Sequence, residues 1–223
     1  TVELLQDESD YLRAPLVPIG GGAYGRVYRS QDRLGRPVAV KFIRLSKVER
    51  AGVIGHAKAI MRAGHGAMVV LYGVWNLVDP VTGELAAALV MEFLEGSSLE
   101  KHPGPFTLEQ FASWSTCLVD CLRQLHAARA HHGDLHSGNV MITPGGLRVL
   151  DPYHRDSEVG MSTRSEEVSQ AQDVREARRG LEDILGKPPG ADAVMIQFRS
   201  HKPRDATLAG LCEAIETALA GAV

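Results

Sequence analysis

Eight residues near the start of the chain, Gly20-Gly21-Gly22-Ala23-Tyr24-Gly25-Arg26-Val27, restrict the fold more than any other run. They match the spacing G-x-G-x-x-G-x-V, which suits a tight hairpin turn or the turn that opens a dinucleotide-binding unit. A dinucleotide fingerprint needs a helix directly after its last glycine. Here Gly25–Arg29 has strand character and runs on to the turn signal Leu34-Gly35-Arg36-Pro37. Leu16–Ile19 leads into the glycines as a strand, and the apolar, β-branched run Val38–Ile43 supplies a third. Three successive strands with short turns predict an antiparallel sheet.

Further along, Ser46-Lys47-Val48-Glu49 has capping-box spacing and predicts a helix to about Arg62, before Gly64. Strands are expected over Val69–Trp75 and Leu85–Phe93, separated by the turn Asp79-Pro80-Val81-Thr82-Gly83. The Gly-, Pro- and Ser-rich stretch from Glu95 to Pro105 reads as a boundary between a sheet-rich and a helix-rich part. Thr107-Leu108-Glu109-Gln110 is a second capping box, and Phe111, Leu118, Leu122 and Leu125 recur at helical spacing, so a long helix runs to about Ala128. Val140–Thr143 and Leu147–Leu150 flank the hairpin turn Pro144-Gly145-Gly146. The remainder is helical or irregular, with breaks at 186–190 and near Pro203.

Four features carry chemistry. The glycine run is either a plain hairpin or a flap whose N–H groups cover phosphates, since glycine lets backbone approach a ligand closely. Lys41 ends an apolar strand, where a charge is costly unless paired. It either holds nucleotide phosphates or extends its ammonium to solvent. Asp134 and Asn139 share the loop after the long helix. Asp134 can accept or orient a hydroxyl, and Asn139 offers a carbonyl oxygen to a hard cation such as Mg²⁺, or the two cap their own loop through Asx turns. Asp151 follows the strand Leu147–Leu150 and suits a second metal ligand, or begins a turn before Pro152. A chance origin for all four, in this order and in matching contexts, is improbable.

Taken together, these motifs resemble the eukaryotic-like protein kinase superfamily. The resemblance rests on Gly20–Val27, Val38-Ala39-Val40-Lys41, Met91-Glu92-Phe93-Leu94-Glu95-Gly96-Ser97-Ser98-Leu99, His132–Asn139, and Asp151-Pro152-Tyr153 in place of Asp-Phe-Gly. It covers nearly the whole chain. It implies an α+β, bilobal protein-kinase-like fold: one domain over 1–223, with an antiparallel sheet, one helix and the hinge in about 1–94, and a reduced, mainly helical lobe in about 95–223. It implies ATP and Mg²⁺, with Mn²⁺ as a substitute. Gly20, Gly22, Gly25, Val27, Ala39, Lys41, Met91, Glu92 and Leu94 would bind nucleotide, with Met91 as gatekeeper and Glu92–Leu94 as the adenine hinge. Asn139 and Asp151 would bind metal, and Asp134, Lys41 and His136 would serve catalysis. Asp173 looks like the helix aspartate that braces the catalytic loop.

The departures are specific. The family's helix glutamate falls on His56, with Glu49 one alternative, so the partner of Lys41 is His56, Glu49 or neither. Gly133 replaces an arginine, and His136 stands where Ser/Thr kinases usually have lysine. Ala-Pro-Glu is missing, and Arg204 looks like the family's late arginine. The implied acceptor is a Ser/Thr hydroxyl of a protein, including the chain itself by autophosphorylation. Two other readings are a small-molecule kinase of the aminoglycoside or fructosamine kinase type and a nucleotide-binding pseudokinase.

Composition narrows the classes. A net charge of −3 gives no bulk positive field for nucleic acid, and no apolar run is long enough to span a bilayer. The first residues are acidic and lack a signal-peptide core. Cys117, Cys121 and Cys212 form no regular framework, which fits a reducing, cytoplasmic setting. Abundant Ala, Gly and Arg are compatible with a GC-rich bacterial source. His126, His131, His132 and His136 invite a zinc site, but Gly133 breaks their helix, and His132 reads better as a packed loop histidine.

Overall fold

The computed structural model describes residues 11–22, 25–43, 55, 57–58, 61–64, 66–102, 104–150, 166–185, 192–201 and 206–221. Five strands form one antiparallel sheet: β1 (Val17–Gly22), β2 (Gly25–Gln31), β3 (Pro37–Ile43), β4 (Leu71–Val78) and β5 (Leu85–Glu92). Their spatial order is β1-β2-β3-β5-β4, so β3 lies at the centre. Every β3 residue after Pro37 is buried, which is why the strand reads as a continuous apolar run.

Strand alternation sorts the side chains of β3 between the two faces. Val38, Val40 and Phe42 join Tyr28, Leu77 and Val90 on one face. Ala39 and Ile43 join Leu71, Leu89 and Met91 on the other. Lys41 shares the parity of Ala39 and Ile43, so its stem enters this second face. The β2–β3 turn is fixed by Asp32, whose Oδ1 accepts the N–H groups of Leu34 and Arg36, both at 2.9 Å, while Oδ2 accepts from the Arg36 guanidinium.

The helix-rich part contains a small sheet of β6 (Ser97–Ser98), β7 (Val140–Thr143) and β8 (Gly146–Val149). Its helices are α1 (Leu108–Ala127), α2 (Glu166–Leu185), α3 (Asp192–Ser200) and α4 (Leu208–Ala220). α1 packs on α2, α4 and β8, and α3 packs on α2 and α4. The capping box forms as expected: Thr107 Oγ1 accepts the Gln110 N–H at 3.1 Å, and Gln110 Oε1 accepts the Thr107 N–H at 2.8 Å. Phe111, Leu118, Leu122 and Leu125 then point into a core shared with Leu181, Ile184, Phe198 and Leu211. α1 ends through Arg129 at φ 55°, which lets the Ala130 N–H return to the Leu125 carbonyl at 2.9 Å. Cys117 and Cys121 sit on α1 as small apolar groups. Burial pushes the Cys121 thiol up to about 12 and raises Cys117 as well, so neither is a ready thiolate.

The sheet-rich and helix-rich parts make the two-lobed α+β arrangement the sequence implies. One strand differs. The run expected over Val69–Trp75 begins later, at Leu71, and continues to Val78. The cause is competition between two sheets. The Val69 N–H donates to the Val149 carbonyl at 2.9 Å, and the Val149 N–H to the Ala67 carbonyl at 2.7 Å, so residues 67–69 pair with β8. The strand β6 was not expected at all. Most of the helix expected over 46–62, including Glu49 and His56, lies outside the described residues. Positions 55, 57–58 and 61–63 are helical. The breaks expected at 186–190 and Pro203, and Arg204, also lie outside them. Among the described residues no helix is long and apolar enough to cross a membrane.

Candidate active site

The glycine run forms a hairpin whose glycines are themselves strand residues. Gly20 pairs with Val27, and Gly22 with Gly25. Their reasons for being glycine differ. A Cβ on Gly20 would meet nothing within 4 Å, so packing does not require glycine there. Gly25 has φ 153°, and a Cβ on it would lie 2.3 Å from the Phe42 carbonyl oxygen of β3. Gly25 is therefore needed for the approach of β3. Gly25→Ala is expected to cost about 1–3 kcal/mol by forcing β2 and β3 apart. Urea unfolding of the variant beside Gly20→Ala, which should be far milder, checks this.

Below the hairpin, Val27 lies opposite Lys41 in β3, and Lys41 lies opposite Leu89 in β5. Lys41 is 6% exposed. Val27, Phe93, Leu94 and Leu150 pack against the cluster that holds Ala39, Leu89 and Met91. Thus Val27, Ala39, Met91 and Leu94, far apart in sequence, line one apolar region beside Lys41. Ala39 and Met91 are direct cross-strand partners.

Residues 92–94, expected as the hinge, divide their hydrogen bonds unevenly. The Glu92 N–H donates to the Val70 carbonyl at 2.9 Å, and the Phe93 N–H lies 3.4 Å from the Pro37 carbonyl. Among the described residues the Leu94 N–H has no acceptor. The Glu92 carboxylate faces away from that edge: Oε1 accepts the Val70 N–H at 2.8 Å and pairs with the Arg148 guanidinium of β8. Arg148 also donates to the Met68 carbonyl at 3.2 Å.

The loop His132–Asn139 is held from two sides. Behind it, α2 presents Asp173, which is fully buried. Its Oδ2 accepts the His132 N–H and its Oδ1 the Gly133 N–H, both at 2.8 Å. The His126 ring nitrogen Nε2 lies 3.2 Å from Oδ2. Burial pushes the Asp173 carboxyl up, but the His126 contact, the His132 ring and the two amides outweigh it and hold it below the usual carboxylate range. Gly133 has φ 82°, a conformation side chains disfavour, so glycine suits this backbone. The His132 ring donates from Nε2 to the Leu150 carbonyl at 2.7 Å, and its Nδ1 accepts the Asp134 N–H at 3.2 Å.

In front, Asn139 Nδ2 donates to the Asp134 carbonyl at 2.9 Å and to Asp134 Oδ2 at 3.2 Å. The amide nitrogen is thus committed to Asp134, and Oδ1 of Asn139 meets no donor among the described residues. An oxygen beside a carboxylate fits a hard divalent cation. His136 Nδ1 accepts the Gly138 N–H at 3.0 Å, which places the proton of a neutral ring on Nε2, 3.6 Å from Asp134 Oδ2. A Cβ on Gly138 would lie 2.7 Å from that ring. Asp151 lies outside the described residues. Leu150, just before it, donates its N–H to the Asn139 carbonyl at 2.7 Å.

The four histidines do not converge: His126 turns to Asp173 and His132 to Leu150. Among the described residues no group of three or more His, Cys, Asp or Glu side chains is placed to hold a metal ion. Sequence reasoning missed two contacts. One is the Glu92–Arg148 pair. The other is Glu176 of α2, whose Oε2 accepts the Leu135 N–H at 2.7 Å. Asp173 and Glu176 stand three apart on one helix, a spacing that puts both on one face and was readable in advance.

This geometry has counterparts among known proteins. The protein kinase domain family matches residues 14–153, and the chain belongs to that family. Over 155 residues it is 28% identical to "Serine/threonine-protein kinase TAO1-B" of Xenopus laevis, covering 66% of this chain and 15% of that protein. It is 29% identical over 174 residues to "Cell division control protein 2 homolog 3" of Trypanosoma brucei brucei, covering 74% and 53%. It is 31% identical over 147 residues to "Serine/threonine-protein kinase pkn2" of Myxococcus xanthus, covering 61% and 17%. The chain thus spans between 15% and 53% of the length of these relatives. Members of the family use ATP and a divalent metal ion.

Proposed function

We propose that this chain is a single kinase domain that transfers the γ-phosphoryl group of ATP, with Mg²⁺, to Ser/Thr hydroxyls of proteins, itself included. Its sheet lobe and hinge span about 1–94 and its reduced helical lobe about 95–223. The observation that carries the reading is the Asp134–Asn139 pair: the Asn139 nitrogen is used on Asp134, so a carboxylate and an amide oxygen remain at the mouth of the loop. The names of the relatives support the choice of Ser/Thr acceptors.

Each residue then has a task. Val27, Ala39, Met91 and Leu94 enclose the adenine in apolar surface. The Glu92 carbonyl and the Leu94 backbone meet its polar edge. Lys41 and the hairpin amides of Gly20, Gly22 and Gly25 hold the phosphates in line. Asn139 and Asp151 hold the metal ion, with Mn²⁺ as a substitute. When bound, the divalent ion neutralises charge on the phosphate oxygens. Asp134 orients the acceptor hydroxyl and takes its proton, and His136 Nε2–H offers a donor beside it. Most of the rate then comes from positioning and charge neutralisation.

Incubation with labelled ATP tests this. Label on Ser/Thr is expected in the parent protein and none in Asp151→Ala. Equal label in both removes the metal role of Asp151. Nucleotide binding without label in the parent rejects the protein-acceptor reading, and a panel of small hydroxyl compounds then separates a small-molecule kinase from a pseudokinase.

A further inference from the structure

Two peptide planes flank Asp134, and both are held. The plane before it is held at one end by the bond from the Asp134 N–H to His132 Nδ1 at 3.2 Å. The plane after it is held at both ends. Its carbonyl, on Asp134, accepts the His136 N–H at 3.0 Å and Asn139 Nδ2 at 2.9 Å. Its N–H, on Leu135, donates to Glu176 Oε2 at 2.7 Å. Gln172 Nε2 donates to Glu176 Oε1 at 2.6 Å and holds the carboxylate in place, and Arg175 in turn donates to Gln172 Oε1 at 3.1 Å. The Leu135 side chain is buried in the helical core, so the peptide cannot turn without disturbing that packing. A plane held at one end can rock, whereas one held at both ends fixes ψ of Asp134 and so the direction in which its Cα–Cβ bond leaves the backbone, and the Asn139 Nδ2 contact to Oδ2 at 3.2 Å holds the carboxylate on that bond.

Resting on the kinase reading above, we propose that Glu176 is a positioning residue for phosphoryl transfer: through the Leu135 N–H it sets the orientation of the Asp134 carboxylate. The role differs from that of Asp173. Asp173 binds the amides of His132 and Gly133, upstream of Asp134, and Glu176 binds the amide downstream. Together the two carboxylates of α2 bracket Asp134. A hydrogen bond to a charged acceptor is stronger than a neutral one, which suits a clamp on a peptide that must not rock. Misplacement of a catalytic group by a fraction of an ångström is enough to slow a positioned reaction.

The test compares Glu176→Ala with Glu176→Gln. Glutamine keeps an oxygen for the Leu135 N–H and removes the charge, and alanine removes both. Glu176→Ala is expected to lower kcat about tenfold or more with KM for ATP unchanged, and Glu176→Gln to recover most of that loss. Leu135 amide exchange, followed by NMR, should speed up in the alanine variant and not in the glutamine variant. An alanine variant with parental kcat overturns the proposal. So does an equal loss of kcat in both variants, which assigns the effect to charge. If the parent binds nucleotide but transfers no phosphate, the kinase reading fails. The exchange rate at Leu135 then still decides whether Glu176 holds the loop, and unchanged exchange in Glu176→Ala overturns the clamp.

Discussion

Asp134→Ala is expected to slow phosphoryl transfer by about 10²-fold or more and to leave nucleotide affinity nearly unchanged. The separation follows from where the bonds of Asp134 lie. Its N–H is held by the His132 ring and its carbonyl by His136 and Asn139, and none of these needs the carboxylate. Among the described residues the side chain contributes only contacts to Asn139 Nδ2 at 3.2 Å and His136 Nε2 at 3.6 Å. Alanine therefore keeps the loop and removes the group proposed to orient the hydroxyl. Lys41 and the apolar region around Val27 and Met91, which would bind the nucleotide, are on the other lobe and are untouched. Single-turnover transfer measured beside calorimetric titration of the nucleotide separates the two effects. Parental turnover in the variant would remove Asp134 from the mechanism.

Asp173→Asn has the second largest expected effect, on stability and activity together. Both carboxylate oxygens accept a backbone N–H. Asparagine has one acceptor, so its NH₂ must face one of those donors. A buried amide left unpaired costs about 1–3 kcal/mol, and facing a second donor adds repulsion. The sign of the pH dependence also follows. The folded pKa of Asp173 lies below its ordinary value, so its contribution is fully present above the unfolded pKa, about 4. It is lost as pH falls through the folded value. The gap in unfolding free energy between parent and variant should therefore narrow in acid. Urea unfolding at pH 7 and at successively lower pH measures it, and a gap that stays constant would show that the ionised carboxylate is not what holds the loop. Transfer activity should fall with the loop, so Asp173→Asn loses both readouts where Asp134→Ala loses one.

Much of this architecture was legible because the informative signals are local. The continuous apolar runs of β3 and β5, the capping box at Thr107 and the helical spacing of Phe111 to Leu125 each act within a few residues. The order of glycine run, lysine, Asp134 and Asn139 could be read for the same reason: each motif occupies a short window. What could not be read depends on partners distant in sequence. Ser97 and Ser98 carry no strand pattern and become β6 only by pairing with Met141 and Ile142. Val69 looks like the start of β4, but Val149 captures it. Glu92 pairs with Arg148 across a gap that no periodicity bridges, and helical spacing puts Glu176 on the face of Asp173 without naming the Leu135 amide it meets. The end of α1 carries no glycine, since Arg129 itself takes the left-handed conformation. The expected roles of Gly22 and Asp151 rest on sequence and family, because the structure describes only the backbone pairing of the first and none of the second.

The pairing of residues 67–69 with β8 has a mechanical consequence. The two lobes are joined where the chain passes through Phe93 and Leu94, and joined again where Val69 and Ala67 bond Val149 and where Arg148 grips Glu92 and Met68. One connection would leave a ball joint, free to swivel in every direction. Among the described residues these two connections define a line, so they resist twisting of one half against the other more than rocking about that line. A cleft that opens along one such line returns to the same alignment on each closure, so on the proposed kinase reading Lys41 on one side and Asp134 on the other would meet in the same relation each time.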